Sequence, residues 1–273
     1  MTIIKNIPLI IKILILLISF SKVALGEEVK NKVLTHLSEG ASKYISNLIP
    51  GEGHTEFSID FRENHSPNYS ILAVREISPM EDGNLFTQFS LFNTEQSGED
   101  RIVGNLGFGK RKLIKNNTLM IGLNNFYDYE VESENTRTSL GLEIRSAVIE
   151  GIVNRYVGLT DRSEERVLDG WDYKLSSQIP YLHWADFYIN GYEWEAQIRS
   201  DIKGIKYGGE FLLTPNINLE IAYDDKDKKG LDDEWLAQIQ FFHPPKEGPN
   251  MRDQKGASKN PWKDNRDMSN ELL

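Results

Sequence analysis

The acidic run Asp224-Asp-Lys-Asp-Lys-Lys-Gly-Leu-Asp-Asp-Glu234 invites a calcium reading. Setting Gly230 at the glycine of an EF-hand loop puts Asp225 and Asp227 at the first and third ligand positions. Lys229 then falls where a ligand oxygen is needed, and Leu236 where the bidentate glutamate belongs. A solvated hairpin loop is the better account. The histidines, His36, His54, His65, His183 and His243, are dispersed with no ligand spacing, so they read as isolated turn or interface residues. The chain has no cysteine, which removes disulfides, thiolate nucleophiles and thiolate metal sites together. A hydrolase would need a nucleophile, a base and an orienting group, and no Gly-x-Ser-x-Gly elbow occurs. Asp169 and Asp172 could pair as carboxylates, but strand residues three apart point to opposite faces, so they read as separate loop and lumen groups. No catalytic, cofactor-binding or metal-ligating residue is therefore expected, and the protein does not read as an enzyme. A formal net charge of -10 argues against nucleic acid as partner, because phosphate binding needs clustered Lys and Arg.

The elements that carry these residues have a side-chain period of two from Thr55 to Phe242. Thr136, Thr138, Leu140, Leu142 and Ile144 share one face, and Arg137, Ser139, Gly141, Glu143 and Arg145 the other. Tyr173, Leu175, Ser177 and Ile179 alternate with Asp172, Lys174, Ser176 and Gln178 in the same way. Ile205–Leu213, Ile217–Tyr223 and Trp235–Phe242 repeat the pattern. Such alternation is what a strand imposes when its faces meet different solvents. The region has room for about twelve strands at roughly 10 residues each plus connections. Short turns (Leu113–Asn117, Pro180–His183, Thr214–Asn216) alternate with longer charged stretches (Tyr129–Asn135, Thr160–Asp169, Glu193–Asp201, Asp224–Asp233). That asymmetry is expected of a membrane barrel with periplasmic turns and outer loops. Aromatics near strand ends (Phe126, Tyr127, Tyr129; Trp171, Tyr173; Tyr192, Trp194; Phe241, Phe242) read as interfacial girdles. The mean hydropathy of -0.45 is no objection, since only every second strand residue faces lipid. Lys174, Lys206, Glu143, Arg145 and Glu210 are then lumen charges, read first as structural partners or tail contacts and second as a selectivity filter.

Residues 1–26 read as a signal peptide. Lys5 and Lys12 give a positive start, Ile13–Phe20 is apolar but for one serine, and Ala24-Leu25-Gly26 places small residues for cleavage before Glu27. The apolar run is shorter than the roughly 20 residues needed to span a bilayer as a helix. Residues 27–53 form a periplasmic segment with a short amphipathic helix, its apolar positions from Val29 to Ile49 spaced by three and four before Pro50-Gly51 ends it. The expected barrel covers residues 54–243. Residues 244–273, rich in Pro, Gly, Asn, Lys and Asp, read as flexible tail or linker. The fold class is thus all-β, a transmembrane antiparallel β-barrel preceded by that helix.

Gly122-Leu-Asn-Asn-Phe-Tyr-Asp-Tyr129 and Asn135-Thr-Arg-Thr-Ser-Leu-Gly-Leu-Glu143 resemble the barrel of the intimin and invasin inverse autotransporters. Asn154–Thr160, Asp169-Gly-Trp-Asp172, Ile179-Pro-Tyr181 and Tyr207–Glu220 follow in the same order, and Pro261-Trp262 with Asn270-Glu271-Leu272 resembles the start of that family's linker. The resemblance implies a twelve-stranded outer-membrane barrel that anchors or translocates a C-terminal segment to the cell surface. It also implies outer-membrane lipid, the barrel-assembly machinery and periplasmic chaperones as partners. The sequence ends at Leu273, where the family's passenger would begin, so adhesion is not carried over. The alternative is a passenger-less barrel acting as a small porin or surface structural protein.

Overall fold

The computed structural model describes residues 51–273 except 64, 97–98, 162–166, 196–200, 228–231, 247–250, 252–260, 262–265, 270–271 and 273. The expected signal peptide and amphipathic helix lie outside the described residues. The chain forms twelve strands: β1 (Gly53–Arg62), β2 (Asn68–Met80), β3 (Gly83–Gln96), β4 (Glu99–Ile114), β5 (Leu119–Glu130), β6 (Thr136–Ser146), β7 (Ile149–Gly158), β8 (Asp169–Ile179), β9 (Leu182–Glu195), β10 (Ile202–Thr214), β11 (Ile217–Lys226) and β12 (Glu234–His243). Each pairs antiparallel with its neighbours in sequence, and β1 pairs with β12 to close a barrel. Closure matters because hydrocarbon offers no partner to a free row of N–H and C=O groups.

The period-two pattern sets which face is wet. In the β5–β6 pair, Leu123 lies opposite Leu142 and Ile121 opposite Ile144 on the outside, while Asn124 and Gly141 meet on the inside. Leu142 and the β4 residue Phe108 are each 56% exposed. With Leu106, Ile121, Leu123, Leu140, Ile144, Val153 and Leu175 they make a continuous apolar belt, far larger than a soluble monomer leaves open. Buried polar residues fill the inside instead, among them Arg111, Asn124, Asp128 and Glu143.

Short turns at 81–82, 115–118, 147–148, 180–181 and 215–216 gather at one end, which also holds the start of β1 and the end of β12. Connections 63–67, 131–135, 159–168, 196–201 and 227–233 lie at the other. The exception is β3–β4, joined through 97–98, where β4 runs on for 16 residues in place of a loop. The turn 115–118 is unusual: Lys115, Asn116 and Asn117 have φ of 51, 56 and 63°. Left-handed backbone costs about 1–2 kcal/mol per residue, less for asparagine, whose side chain bonds locally. Lys115 therefore carries most of that strain.

The aromatic girdle expected at the strand ends is only partly lipid-facing. Tyr127 and Tyr129 do point outward, and Trp171 and Tyr173 stack outside at 5.7 Å. Phe126, Tyr192, Trp194 and Phe242 turn inward. For the first three the reason is a missing side chain on a neighbouring strand. Gly107 lies opposite Phe126, Gly204 opposite Tyr192 and Gly170 opposite Trp194, and each ring lies over its glycine. A Cβ on Gly107 would sit 1.9 Å from Phe126 Cδ1 and 2.9 Å from Cγ, so the ring could not stay in place. Gly107→Val is expected to lower stability by about 1–3 kcal/mol through overpacking. Outward-facing Gly104, where only Leu91 at 4.0 Å would meet a Cβ, should accept alanine with little change. Urea midpoints of the two variants in detergent check this; equal midpoints would refute the packing account.

Candidate functional site

The polar groups of the lumen fall into three levels. Nearest the long loops, Arg137 reaches from β6 to Asp128 on β5 at 2.8 Å, and Asn105 donates to the other carboxylate oxygen. The guanidinium carbon lies 4.5 Å from the Tyr156 ring and 5.2 Å from that of Trp194. The Tyr156 hydroxyl and the Asn154 amide both donate to Asp172, at 2.9 and 2.8 Å. Further round, Tyr192 donates to Asp224 at 3.0 Å, and Lys226 pairs with Glu234 at 2.7 Å.

At mid-height, Asp186, Glu210, Glu220, Gln238 and Asp60 occupy one register row across β9, β10, β11, β12 and β1. Carboxylates directly opposite on neighbouring strands repel. Lys174 offsets this by bonding Glu210 from β8, with its ammonium 4.4 Å from the Tyr188 ring centre. Tyr188 in turn donates to Glu220, and Gln238 to Asp60. A pocket beside this row is lined by Asp60, Arg62, Lys206, Glu220, Leu236 and Gln238.

At the short-turn end Arg111 pairs with Glu143 at 2.6 Å, and both side chains are nearly sealed from solvent, at 8% and 4% exposure. Arg145 joins Glu143 at 3.8 Å and Glu150 at 2.6 Å. Here the tail returns to the barrel. Met251 N–H donates to Leu212 O at 3.0 Å and Met268 N–H to Asn117 O at 2.8 Å. Met268 is fully buried against Leu113 and Met120, with Leu272 packed on the same cluster. The Leu272 carbonyl accepts from Arg111 at 2.7 Å and from Asn84 at 3.1 Å. Arg266 donates to Ala147 O at 2.5 Å, and Asn117 donates to the Ser269 hydroxyl at 3.1 Å. The Ser269 hydroxyl, then its N–H, bonds Asp267 and holds that exposed carboxyl below its ordinary range.

All five expected lumen charges, Glu143, Arg145, Lys174, Lys206 and Glu210, face inward. The structure joins Glu143 to Arg145 at one level and Lys174 to Glu210 at another. Asp169 and Asp172 do part company: Asp169 accepts from Gly158 N–H at 2.7 Å, while Asp172 lies in the lumen network. In the calcium-like loop, Asp225 and Asp227 are exposed, and Lys229 and Gly230 lie outside the described residues. The neighbouring Asp233 accepts from Lys226 N–H and the Tyr223 hydroxyl, in that order of strength, which lowers its pKa. His54 lies 3.2 Å from Glu56 and His65 4.0 Å from Glu234. Among the described residues no group of three or more His, Asp or Glu is placed to hold a metal. The sequence reading did not single out Arg111, Asn84 or the Met268 seat. Arg111 carried a signal, being in phase with Gly107 and Gly109 on the inner face of β4, but nothing local announces the partners of Met268.

A family model described as inverse autotransporter, beta-domain, matches residues 20–259. The putative attaching and effacing protein homolog of Escherichia coli strain K12 is 29% identical over 104 residues, which is 35% of this chain and 34% of that relative's length. The chain therefore matches well under half of that curated protein. A solved structure from work on the in-meso crystallization of membrane proteins aligns with a TM-score of 0.60 at 18% identity, over 70% of this chain and 83% of that one. KdgM porin aligns with a TM-score of 0.47 at 6% identity, over 69% and 98% of the two chains.

Proposed function

We propose, from the premise that the chain belongs to the inverse autotransporter β-domain family, that its barrel carries the segment after β12 to the cell surface and anchors it there. The chain is a β-barrel of the bacterial outer membrane, its apolar belt set against lipid. Short turns face the periplasm in such barrels, so the tail begins on the periplasmic side. The observation that carries the proposal is where the described residues of that tail sit. Beyond β12, Arg266 bonds the turn between β6 and β7, Met268 and Ser269 bond the turn between β4 and β5, and the Leu272 carbonyl lies on the lumen-facing Arg111 and Asn84. A segment so placed stands at the opening of a polar lumen in which Arg111, Arg137, Lys174 and Lys226 are each already bonded to a wall carboxylate.

In this reading the protein acts without catalysis. Its insertion depends on periplasmic chaperones and the barrel-assembly machinery, because the apolar belt must be kept from water until the sheet closes. An epitope tag placed after Leu273 and probed with antibody on intact cells tests the proposal. Export predicts that the tag is reached from outside. A tag reached only after the outer membrane is opened would overturn export and favour a stand-alone barrel.

A further inference from the structure

We infer that Arg266, Met268, Ser269 and Leu272 form a releasable latch, seated in a receptor that the barrel builds at its periplasmic mouth, and that the latch holds the tail back until it is drawn into the lumen. This regulatory step rests on the export reading above. The receptor is assembled from separate elements. The turn 115–118 supplies the Asn117 carbonyl to Met268 N–H and the Asn117 amide to Ser269. The turn 147–148 supplies the Ala147 carbonyl to Arg266. The inner wall supplies the Leu113 and Met120 side chains and the paired donors Arg111 and Asn84.

Several features mark this as a fitted seat rather than a casual contact. Met268 is buried completely while Arg266, Asp267 and Ser269 beside it are exposed, so one side chain has been selected for insertion. Asn84 is itself fully buried, and Leu272 O accepts from its amide; with the tail gone that donor would keep only a 3.4 Å contact to Glu76. The consecutive left-handed residues Lys115, Asn116 and Asn117 aim the Asn117 carbonyl at the tail, and such backbone persists where surrounding contacts over-determine it. The seat is also weakly built. Methionine adapts to irregular gaps, and the apolar cluster it joins is small. Such a contact orders the tail without fixing it permanently.

The chain has no cysteine of its own, so a Met120→Cys/Met268→Cys pair in the full chain, with the tag after Leu273, tests the latch directly. The pair is expected to cross-link in the oxidising periplasm, giving a reductant-sensitive band shift. Surface access of the tag should fall at least ten-fold and return when cells are grown with reductant. The heat-dependent gel shift of the barrel confirms folding throughout. Absence of cross-linking in a folded barrel overturns the seat. Cross-linking with unchanged surface access overturns release and leaves a static anchor. If the tag is never reached, oxidised or reduced, while the cross-link forms, the export reading has failed and the release step with it, although the seat is real. The two failures are thereby told apart.

Discussion

Replacing Arg111 with alanine is expected to destabilise the barrel by about 3–5 kcal/mol, the cost of leaving a buried charge without its partner. The Arg111–Glu143 pair spans from β4 to β6 at 2.6 Å, and the guanidinium also lies 4.3 Å from the Phe86 ring centre. Glu143 cannot move away from the loss. Its carboxylate lies over Gly122, where an added Cβ would come within 2.2 Å of Oε1, so the side chain occupies the space that this glycine leaves. Among the described residues Arg145 is the other cation that meets Glu143, at 3.8 Å, and it is already committed to Glu150 at 2.6 Å. Removing both charges together, as Arg111→Met with Glu143→Leu, should recover most of the loss, because two apolar side chains need no desolvation of ions. Urea unfolding followed by tryptophan fluorescence measures both. A single variant within about 1 kcal/mol of the parent, the range of an exposed pair, would mean that water reaches this level freely.

The second large effect tests the membrane itself. Leu142→Arg places a cation near the middle of β6 on the lipid face and should cost about 2–4 kcal/mol in a bilayer, whereas Thr138→Arg, on the same face near the long-loop end, should cost about 0–1 kcal/mol. The contrast is sharper than either value. Around a water-exposed sheet the substitutions would be equivalent, because depth has meaning only in hydrocarbon. Refolding equilibria in lipid vesicles read the difference, and equal costs would remove the lipid belt from the account of this surface.

The faces of β6, β8 and β10 were legible because alternation is a local property: Thr136–Arg145 carries its in-out order in adjacent residues. Strand number and the placing of turns followed from the same rhythm. Inward aromatics were not legible as such. Whether Trp194 faces lipid or lumen depends on Gly170, which lies opposite it on another strand, and clustering near strand ends cannot see that register. The ion pairs were half legible. Alternation put Lys174 and Glu210 inside, but only the β8–β9 and β9–β10 registers decide that they meet across an intervening strand. The latch was the least legible, since Met268 and Asn117 are remote in sequence and the tail's composition reads simply as linker.

The seam between β1 and β12 has a consequence in time. Phe57 meets Phe241 and Ile59 meets Ile239 across it, so the first strand waits, as a bare template, for the last one to be made. Long-range closures of this kind are the slow events of folding, and an unpaired edge is the species most open to aggregation while they are pending. The residues that occupy the Met268 seat come after β12, separated from it by the rest of the tail. Their receptor draws on Asn84, Arg111, Leu113, Asn117, Met120 and Ala147, all of which precede β7 in the chain. The seat is thus made early in the chain and its occupant late, so a filled seat marks a chain whose twelfth strand has already been made.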